Sequence, residues 1–434
     1  MRRLPRTLFR ALGALRDLHV LESWVKQLTS PDDPLRGKLL TVLEDHEGVP
    51  RERVRRALRK FDRRGWERLA RQAPQRARAV TPNSLTAQCL ALERFEELRH
   101  LHGRAVHTEI PEPWHALRVE LKRFRYTVET LLPERSAAWD EGLGQLQNLL
   151  GEIHDLGVLR SRIMQESDSI GATSASSLCH AIATKRRACI EQYRKLTRGE
   201  RSPLPEWRAG LPQGNTIETA TAARFRTTAR AMDPRPRRTA AISRLALLLF
   251  DGLTTSGAPR FHDGRLRVGL RTAALLHAIQ VGGRRRAQQK AARNFLRAMP
   301  VPIGWTSHDW ELVTHVVRYY RGAEPAPKHK TFARLSPEQQ DRVRSLAGVL
   351  RLARGLHRCG VNIVGGVRLD ATAAFVRLRV AGVHDTKENA ARLAAAKHLL
   401  ERYLRRPLLI ESAKVMTSIH ALRPSEEHDD ATVA

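Results

Sequence analysis

The chain lacks the features that define disulfide-rich secreted proteins, zinc proteins and membrane proteins. Its four cysteines are scattered without a C-x-x-C pair, which argues against a zinc site and against a disulfide framework. No apolar run reaches the roughly 18–20 residues that a membrane helix needs. The N-terminus has no apolar segment followed by a small-residue cleavage site. We therefore expect a cytoplasmic protein that does not bind membranes.

Acidic and aromatic side chains are also scarce. The 434 residues include 45 Asp and Glu against 76 Lys and Arg, so that the formal net charge is +31. A charge of this size concentrates polyanions, and Arg matches phosphate oxygens with a planar fork of donors. Aromatic residues make up only 5%, which leaves few stacking platforms for single-stranded nucleic acid. We find no zinc finger, recognition helix or RNA-binding signature that would read bases, although non-specific nucleic-acid binding stays open.

The spacing of apolar residues predicts a mainly α-helical, two-domain protein. Helix follows helix over residues 1–198, and five prolines in 199–239 indicate a linker with a short helix at about 217–231. Helices resume in 240–412, where the alternating stretch VRLDATAAFVRLRVAG predicts a β-hairpin and TKENAARLAAAKHLLERYL a final helix. Residues 413–434 form an acidic tail.

One segment is repeated within the first domain. LGALRDLHVL (12–21) and LGEIHDLGVL (150–159) agree at Leu, Gly, Asp, Leu, Val and Leu in one register. We interpret the repeat as a duplication that places two helical units across a pseudo-twofold axis. Each unit then carries an Asp, which follows Arg16 in the first copy and His154 in the second.

The stretch HALRVELKRFRYTVETLL (115–132) predicts an amphipathic helix with a basic face. At about 100° per residue, its apolar side chains fall on one side of the helix. The opposite arc holds His115, Arg118, Lys122, Arg125, Tyr126 and Glu129. Glu129 can orient Arg125 or Lys122 through a contact four or seven residues away. A solvated basic surface is the alternative to a binding groove.

These stretches resemble the CHAD domain, a conserved-histidine α-helical domain. The resemblance implies two duplicated helical halves around a basic cavity that binds inorganic polyphosphate. In that family the first half normally begins with its own basic helix, whereas only 11 residues precede the first LGxxRD element in this sequence. We therefore expect either that this protein has only half of the basic side chains usual in the family's cavity, or that its true start lies farther upstream. The implied polyphosphate-binding residues are Arg16, His115, Arg118, Lys122, Arg123, Arg125, Tyr126 and His154.

The second domain resembles the C-terminal portion of the exopolyphosphatase and guanosine pentaphosphatase family, a helical HD-like domain with a small α/β end. The resemblance rests on RVGLRTAALLHAIQVGG, HVVRYYRG and SLAGVLRLARGLHR. A working HD site needs a His-Asp pair and further histidines to hold metal ions. The chain has Ala278 after His277, and Tyr320 where the family has His. We therefore expect a degenerate domain with His277 in the core and with no catalytic residues, metal or cofactor.

Cations remain in the second domain at positions where acids and histidines are expected. We consider them either a solvated face of a decayed domain or a secondary basic surface. Its residues are Arg284, Arg285, Arg286, Lys290, Arg318 and Arg321.

The function that the sequence favours is non-catalytic binding of inorganic polyphosphate, in the cytoplasm and at polyphosphate granules. Two alternatives stay open beside it. One is a residual phosphohydrolase acting on polyphosphate or guanosine polyphosphates, dependent on His277 or His308, and the other is non-specific nucleic-acid binding. The acidic stretch from Glu426 to Asp430 could also occupy the groove as an autoinhibitor. The sequence gives no oligomeric state.

Overall fold

A computed structural model of the protein describes residues 6–257, 263–282, 288–361, 367–384 and 386–413. The protein is mainly α-helical, as the sequence predicts, with a small three-stranded sheet near the C-terminus. The chain divides into two compact units, Met1–Thr227 and Thr228–Ala434. Residues 414–434 of the predicted acidic tail, including the stretch from Glu426 to Asp430, lie outside the described residues, so the structure does not bear on the predicted role of that stretch. Over the described ranges, no helix is long and apolar enough to cross a membrane.

The first unit is built from helices. Its centre is a layer in which α6 packs against α5 and α7, while α7 also packs against α9 and α1. The helices are α1 (Arg6–Leu28), α2 (Pro34–Asp45), α3 (Gly48–Arg59), α4 (Arg63–Ala77), α5 (Leu85–Ala105), α6 (Pro111–Leu131), α7 (Pro133–Gln165), α8 (Ser167–Ile170), α9 (Ala172–Leu196), α10 (Pro203–Ala209) and α11 (Asn215–Met232), the last of which runs into the second unit.

Helix α6 contains the predicted basic face and begins one turn earlier than the sequence pattern indicated. Pro111 occupies its first turn, where a missing N–H costs nothing, and Glu112 complements the positive end of the helix dipole. The helix ends at Leu131, and Pro133 starts α7 two residues later. Four residues of the predicted apolar stripe are buried, and a fifth, Leu131, is partly exposed. The buried ones are Leu117, Leu121, Phe124 and Val128, and Trp114 extends the buried face towards the start of the helix. The opposite face is therefore left for polar contacts.

The segment expected to be a linker is largely helical, and its residues up to Thr227 belong to the first unit. Trp207 of α10 is 1% exposed, and its ring centroid lies 5.7 Å from that of Phe124 and 6.4 Å from that of Trp139. Pro203 and Pro236 stand in the first turns of α10 and α12. These prolines start helices, a role that proline also favours, and the compact unit extends past residue 198.

The second unit combines helices with the sheet. Its helices are α12 (Pro236–Thr255), α13 (Gly264–Leu276), α14 (Gln288–Arg297), α15 (Ser307–Tyr319), α16 (Lys330–Ala333), α17 (Pro337–Arg358) and α18 (Lys387–Leu404), and its strands are β1 (Val367–Ala371), β2 (Val376–Ala381) and β3 (Leu408–Ala413). The antiparallel pairing of β1 with β2 confirms the predicted hairpin, and α18 confirms the predicted final helix. Strand β3, which pairs in parallel with β2, was not predicted.

Helix α17 is central to the second unit and packs against α12, α15 and α18. Its glycines allow a close approach to α18: a Cβ atom at Gly355 would lie 2.5 Å from the Cβ of Ala396, and one at Gly348 would lie 3.1 Å from Leu400. Only a residue without a side chain fits at such a contact.

Candidate functional site

Charged side chains from three helices of the first unit come together. Arg16 and Asp17 belong to α1, Arg118 and Lys122 to α6, and Asp155 to α7. We call these five residues the groove cluster. Burial lowers the pKa of Lys122, and Arg118 and Arg16 lower it further, whereas Asp155 and Asp17 act in the opposite direction. The basic helix and both copies of the repeated element therefore meet at one place.

The acids and bases of the groove cluster are near one another without direct pairing. Among the described residues, neither Arg118 nor Lys122 forms an ion pair with a carboxylate. Burial raises the pKa of Asp155; Arg118 opposes this effect, and the like charge of Asp17 reinforces it. Within the described part of the chain, the buried Nε of Arg118 has no hydrogen-bond partner. A buried donor without an acceptor costs about 1–3 kcal/mol, so oxygen atoms of an anion would be stabilised there.

Two histidines lie next to the cluster. The Nδ1 atoms of His115 and His154 are 3.3 Å apart, and the ring centroids are separated by 4.7 Å. Burial lowers the pKa of His154 to about 4, with further contributions from Arg118, His115 and Lys122. His154 is therefore neutral at pH 7, and the two rings can share one hydrogen bond between a donor and an acceptor nitrogen.

Other predicted binding residues of α6 have protein partners. Arg125 donates from Nε to Glu129 Oε1 at 2.7 Å and from Nη2 to Asp140 Oδ1 at 2.9 Å, which confirms the predicted contact with Glu129. Arg123 donates to the buried Glu120 at 3.0 Å. Both guanidinium groups are thus at least partly neutralised by carboxylates of the first unit.

Two glycines and one tyrosine mark open surface beside the cluster. A Cβ atom at Gly13 or at Gly151 would meet no atom within 4 Å. Each glycine precedes the Asp of its repeat by four residues, so it lies on the same helix face one turn away. Tyr126 of α6 is 59% exposed. The two glycines were not predicted as site residues, although the Leu-Gly pair shared by both copies of the repeat is a sequence pattern that could have identified them.

The predicted secondary basic surface is only partly described. Arg284, Arg285 and Arg286 lie outside the described residues. Lys290 is exposed on α14. Arg318 and Arg321 lie over aromatic rings of their neighbours: the guanidinium carbon of Arg318 is 5.2 Å from the ring centroid of Tyr319, and that of Arg321 is 5.5 Å from the ring centroid of Tyr320.

His277 is a packed core residue, as predicted from the sequence. Its side chain is buried, its Nδ1 lies 2.7 Å from the carbonyl oxygen of Ala274, and its ring meets Tyr320 edge-on at 4.8 Å. Burial lowers its pKa to about 4. His308, by contrast, is exposed at the start of α15. In the described ranges, no group of three His, Cys, Asp or Glu side chains is arranged to hold a metal ion.

Comparison with known proteins finds one family similarity, which lies within the first unit. The family model of the CHAD domain matches residues 1–164, a range that contains α1, α6 and nearly all of α7. No curated protein matches the chain. The groove cluster therefore lies within the matched range, and residues 1–164 of this chain are similar to the CHAD domain family.

Proposed function

We propose that the first unit binds inorganic polyphosphate through the groove cluster and its two neighbouring histidines. The observation that carries this proposal is the convergence of Arg16, Arg118 and Lys122 at one place, where none of the three forms an ion pair with a carboxylate of the described residues. The similarity of residues 1–164 to the CHAD domain supports the same ligand, as does the net charge of +31.

Binding a phosphate polymer requires cations along a surface and does not require a catalytic group. Each phosphate that meets Arg or Lys releases condensed counterions, so affinity falls steeply with salt. Asp17 and Asp155 reduce the mutual repulsion of the three cations while the groove is free. The open helix surface at Gly13 and Gly151 leaves room for a chain to pass. The expected cellular site is the cytoplasm and its polyphosphate granules.

We also propose that the second unit is a degenerate relative of the HD-like domain in the exopolyphosphatase family. A helical core followed by a small sheet supports this origin, and the burial of His277 argues against its use as a metal ligand. The full chain should release no phosphate from polyphosphate with Mg²⁺ or Mn²⁺ present. Metal-dependent release that His277→Gln or His308→Gln abolishes would favour the residual phosphohydrolase instead.

A competition titration tests polyphosphate binding. Labelled long-chain polyphosphate is bound to the full chain at about 150 mM salt, where surface charges are screened over about 8 Å. It is then displaced with unlabelled polyphosphate or duplex DNA. We expect polyphosphate to compete more than about tenfold better than DNA at equal charge, a difference of about 1.4 kcal/mol.

The variants for this titration separate a site from bulk charge. Arg118→Gln/Lys122→Gln removes two cations of the groove cluster. Arg104→Gln/Arg187→Gln removes two exposed cations of the same unit, one on α5 and one on α9, and is the matched control. The cluster variant should lower the salt exponent by about two, since each phosphate contact contributes about 0.9 on B-DNA. If both variants bind equally well, or DNA competes as well as polyphosphate, the proposal is wrong.

A further inference from the structure

The second unit contains a buried group of nitrogen donors at the contact between α14 and α15. His315 of α15 is 0% exposed, and neither of its ring nitrogens has a hydrogen-bond partner among the described residues. The same holds, within the described ranges, for Nε and Nη2 of Arg293 and for Nη1 of Arg318, all of which are buried. The carboxylate facing the histidine is that of Glu311, whose Oε1 lies 3.7 Å from His315 Nε2.

Tyr319 holds these groups in place. Its ring stacks with that of His315 at a centroid distance of 6.0 Å and an angle of 14°, and Arg318 lies over the same ring. The hydroxyl group of Tyr319 is 3.1 Å from Nδ1 of His329. Arg351 of α17 donates from Nε to the carbonyl oxygen of Tyr319 at 2.7 Å. The arrangement is therefore fixed from three helices and one loop.

Further cations surround the group. Burial lowers the pKa of His315 to about 3, and Arg293, Arg297 and Arg318 contribute to the shift. His315 is therefore neutral at pH 7 and presents one N–H donor and one acceptor nitrogen. Burial also lowers the pKa of His329, with Arg318 and two exposed lysines, Lys328 and Lys290, adding to the effect. The local potential is positive, and Glu311 opposes it only in part.

Unpaired guanidinium donors in a protein interior are unfavourable unless a ligand supplies acceptors. A tetrahedral oxyanion supplies several oxygens to planar guanidinium groups, and such charge-assisted bonds are the stronger kind. Because His315 is fully buried, the group suits one compact anion more than a long chain lying on a surface. We propose that Arg293, Arg318 and His315 form a binding site for a single tetrahedral oxyanion, either inorganic phosphate or the terminal phosphoryl group of a phosphorylated ligand.

Calorimetric titration of the full chain with sodium phosphate at pH 7.5 tests this site. Sodium chloride at equal ionic strength is the reference for general salt effects. Arg293→Gln and Arg318→Gln should each weaken phosphate binding by about tenfold or more, because each removes a charge-assisted hydrogen bond. Arg334→Gln removes an exposed cation of the same unit and should change the affinity by less than about twofold. Unchanged phosphate affinity in both site variants overturns the proposal.

Thermal unfolding in phosphate-free and sulfate-free buffer separates binding from structural support. Glutamine removes the unpaired buried charge, so neither site variant should melt below the unsubstituted protein in that buffer. Phosphate should raise the melting temperature of the unsubstituted protein more than that of the variants. A lower melting temperature without phosphate, together with an unchanged rise on adding it, assigns the two arginines a structural role and contradicts the proposal.

Two ligands distinguish the source of the oxyanion. Titrations with inorganic phosphate and with tripolyphosphate are run in the Arg118→Gln/Lys122→Gln background, which removes binding at the groove cluster. Tighter binding of tripolyphosphate that Arg293→Gln abolishes identifies a terminal phosphoryl group, whereas tighter binding of phosphate identifies the free anion. If neither ligand depends on Arg293, the site does not exist. Since the two sites lie in different units, failure of one proposal leaves the other intact.

Discussion

The cations of the two proposed sites differ in how far they are exposed to solvent. In the first unit, Arg16, Arg118 and Lys122 lie on partly exposed helix faces, with carboxylates near them and open helix surface beside them. In the second unit, donor atoms of Arg293 and Arg318 are buried beside a histidine that is 0% exposed. An open arrangement can accept a chain that enters and leaves at both ends, whereas a buried one can accept only a small anion or the terminal group of a longer ligand. Accessibility, and not the number of positive charges, thus distinguishes the two proposed ligands.

A third set of cations in the first unit belongs to neither arrangement. Arg94 and Arg123 both donate to the buried Glu120, and Arg125 is held by two carboxylates. These pairs have a structural role that a charge count does not reveal. Cations without carboxylate partners are therefore better markers of a ligand site than net charge is.

The prediction with the largest expected effect concerns the ion pairs that Arg94 and Arg123 form with Glu120 in the first unit. Arg94→Met/Arg123→Met leaves the Glu120 carboxylate, whose side chain is 2% exposed, without a partner. We expect the free energy of unfolding in urea to fall by about 3–5 kcal/mol, as when other buried pairs are broken. Adding Glu120→Leu should restore most of the loss. If the double variant is as stable as the parent, Glu120 needs no partner, and the contrast with Arg293 and Arg318 disappears.

Acidification should destabilise the second unit more than the first. The strongest downward pKa shifts belong to His277, to about 4, and His315, to about 3, in the second unit and to His154, to about 4, in the first. The unfolded chain takes up protons below about pH 6.5, before these folded-state histidines do. The stability that these neutral histidines contribute is therefore fully present above about pH 6.5 and is lost as the pH falls towards 4.

At pH 5 each fully buried histidine should lower the free energy of unfolding by about 2 kcal/mol relative to pH 7.5. Hydrogen–deuterium exchange of peptides from each unit at the two pH values, corrected for the intrinsic rates, measures the difference. His277→Gln should reduce the pH dependence of the second unit, while His308→Gln, at an exposed position, should not change it. Equal losses in both units would contradict the expectation.

The prediction with the smallest expected effect concerns Gly151, which lies on the open helix surface beside the groove cluster. Gly151→Ala should raise the free energy of unfolding by about 0.5–1 kcal/mol, since alanine favours a helix and its methyl group meets no atom within 4 Å. The same methyl group should weaken polyphosphate binding if the polymer passes over this turn. Gly103→Ala, in α5 and equally unobstructed, is the control that should stabilise without changing polyphosphate affinity. Equal affinities for both variants would place the polymer elsewhere.

Local sequence pattern was sufficient for most of the helices and for the basic face. Apolar residues three and four apart predicted α6 and its buried stripe, and alternation predicted the β1–β2 hairpin. The repeated LGxxxD pattern indicated that Asp17 and Asp155 are equivalent, and the structure brings them near Lys122. These features follow from periodicities of 3.6 and 2 residues, which are properties of a short stretch of chain.

The tertiary structure decided which cations are paired and which segments are packed. Asp140 reaches Arg125 from α7, and Arg94 reaches Glu120 from α5, so neither partner is visible in the pattern of α6 itself. Prolines alone do not distinguish a linker from a helix start, and only the packing of Trp207 shows that α10 belongs to the first unit. Sequence by itself thus determined the helices, the basic face of α6 and the excess of positive charge. Which charges remain available to a ligand depended on side chains from distant helices, because pairing and burial are properties of three-dimensional contact.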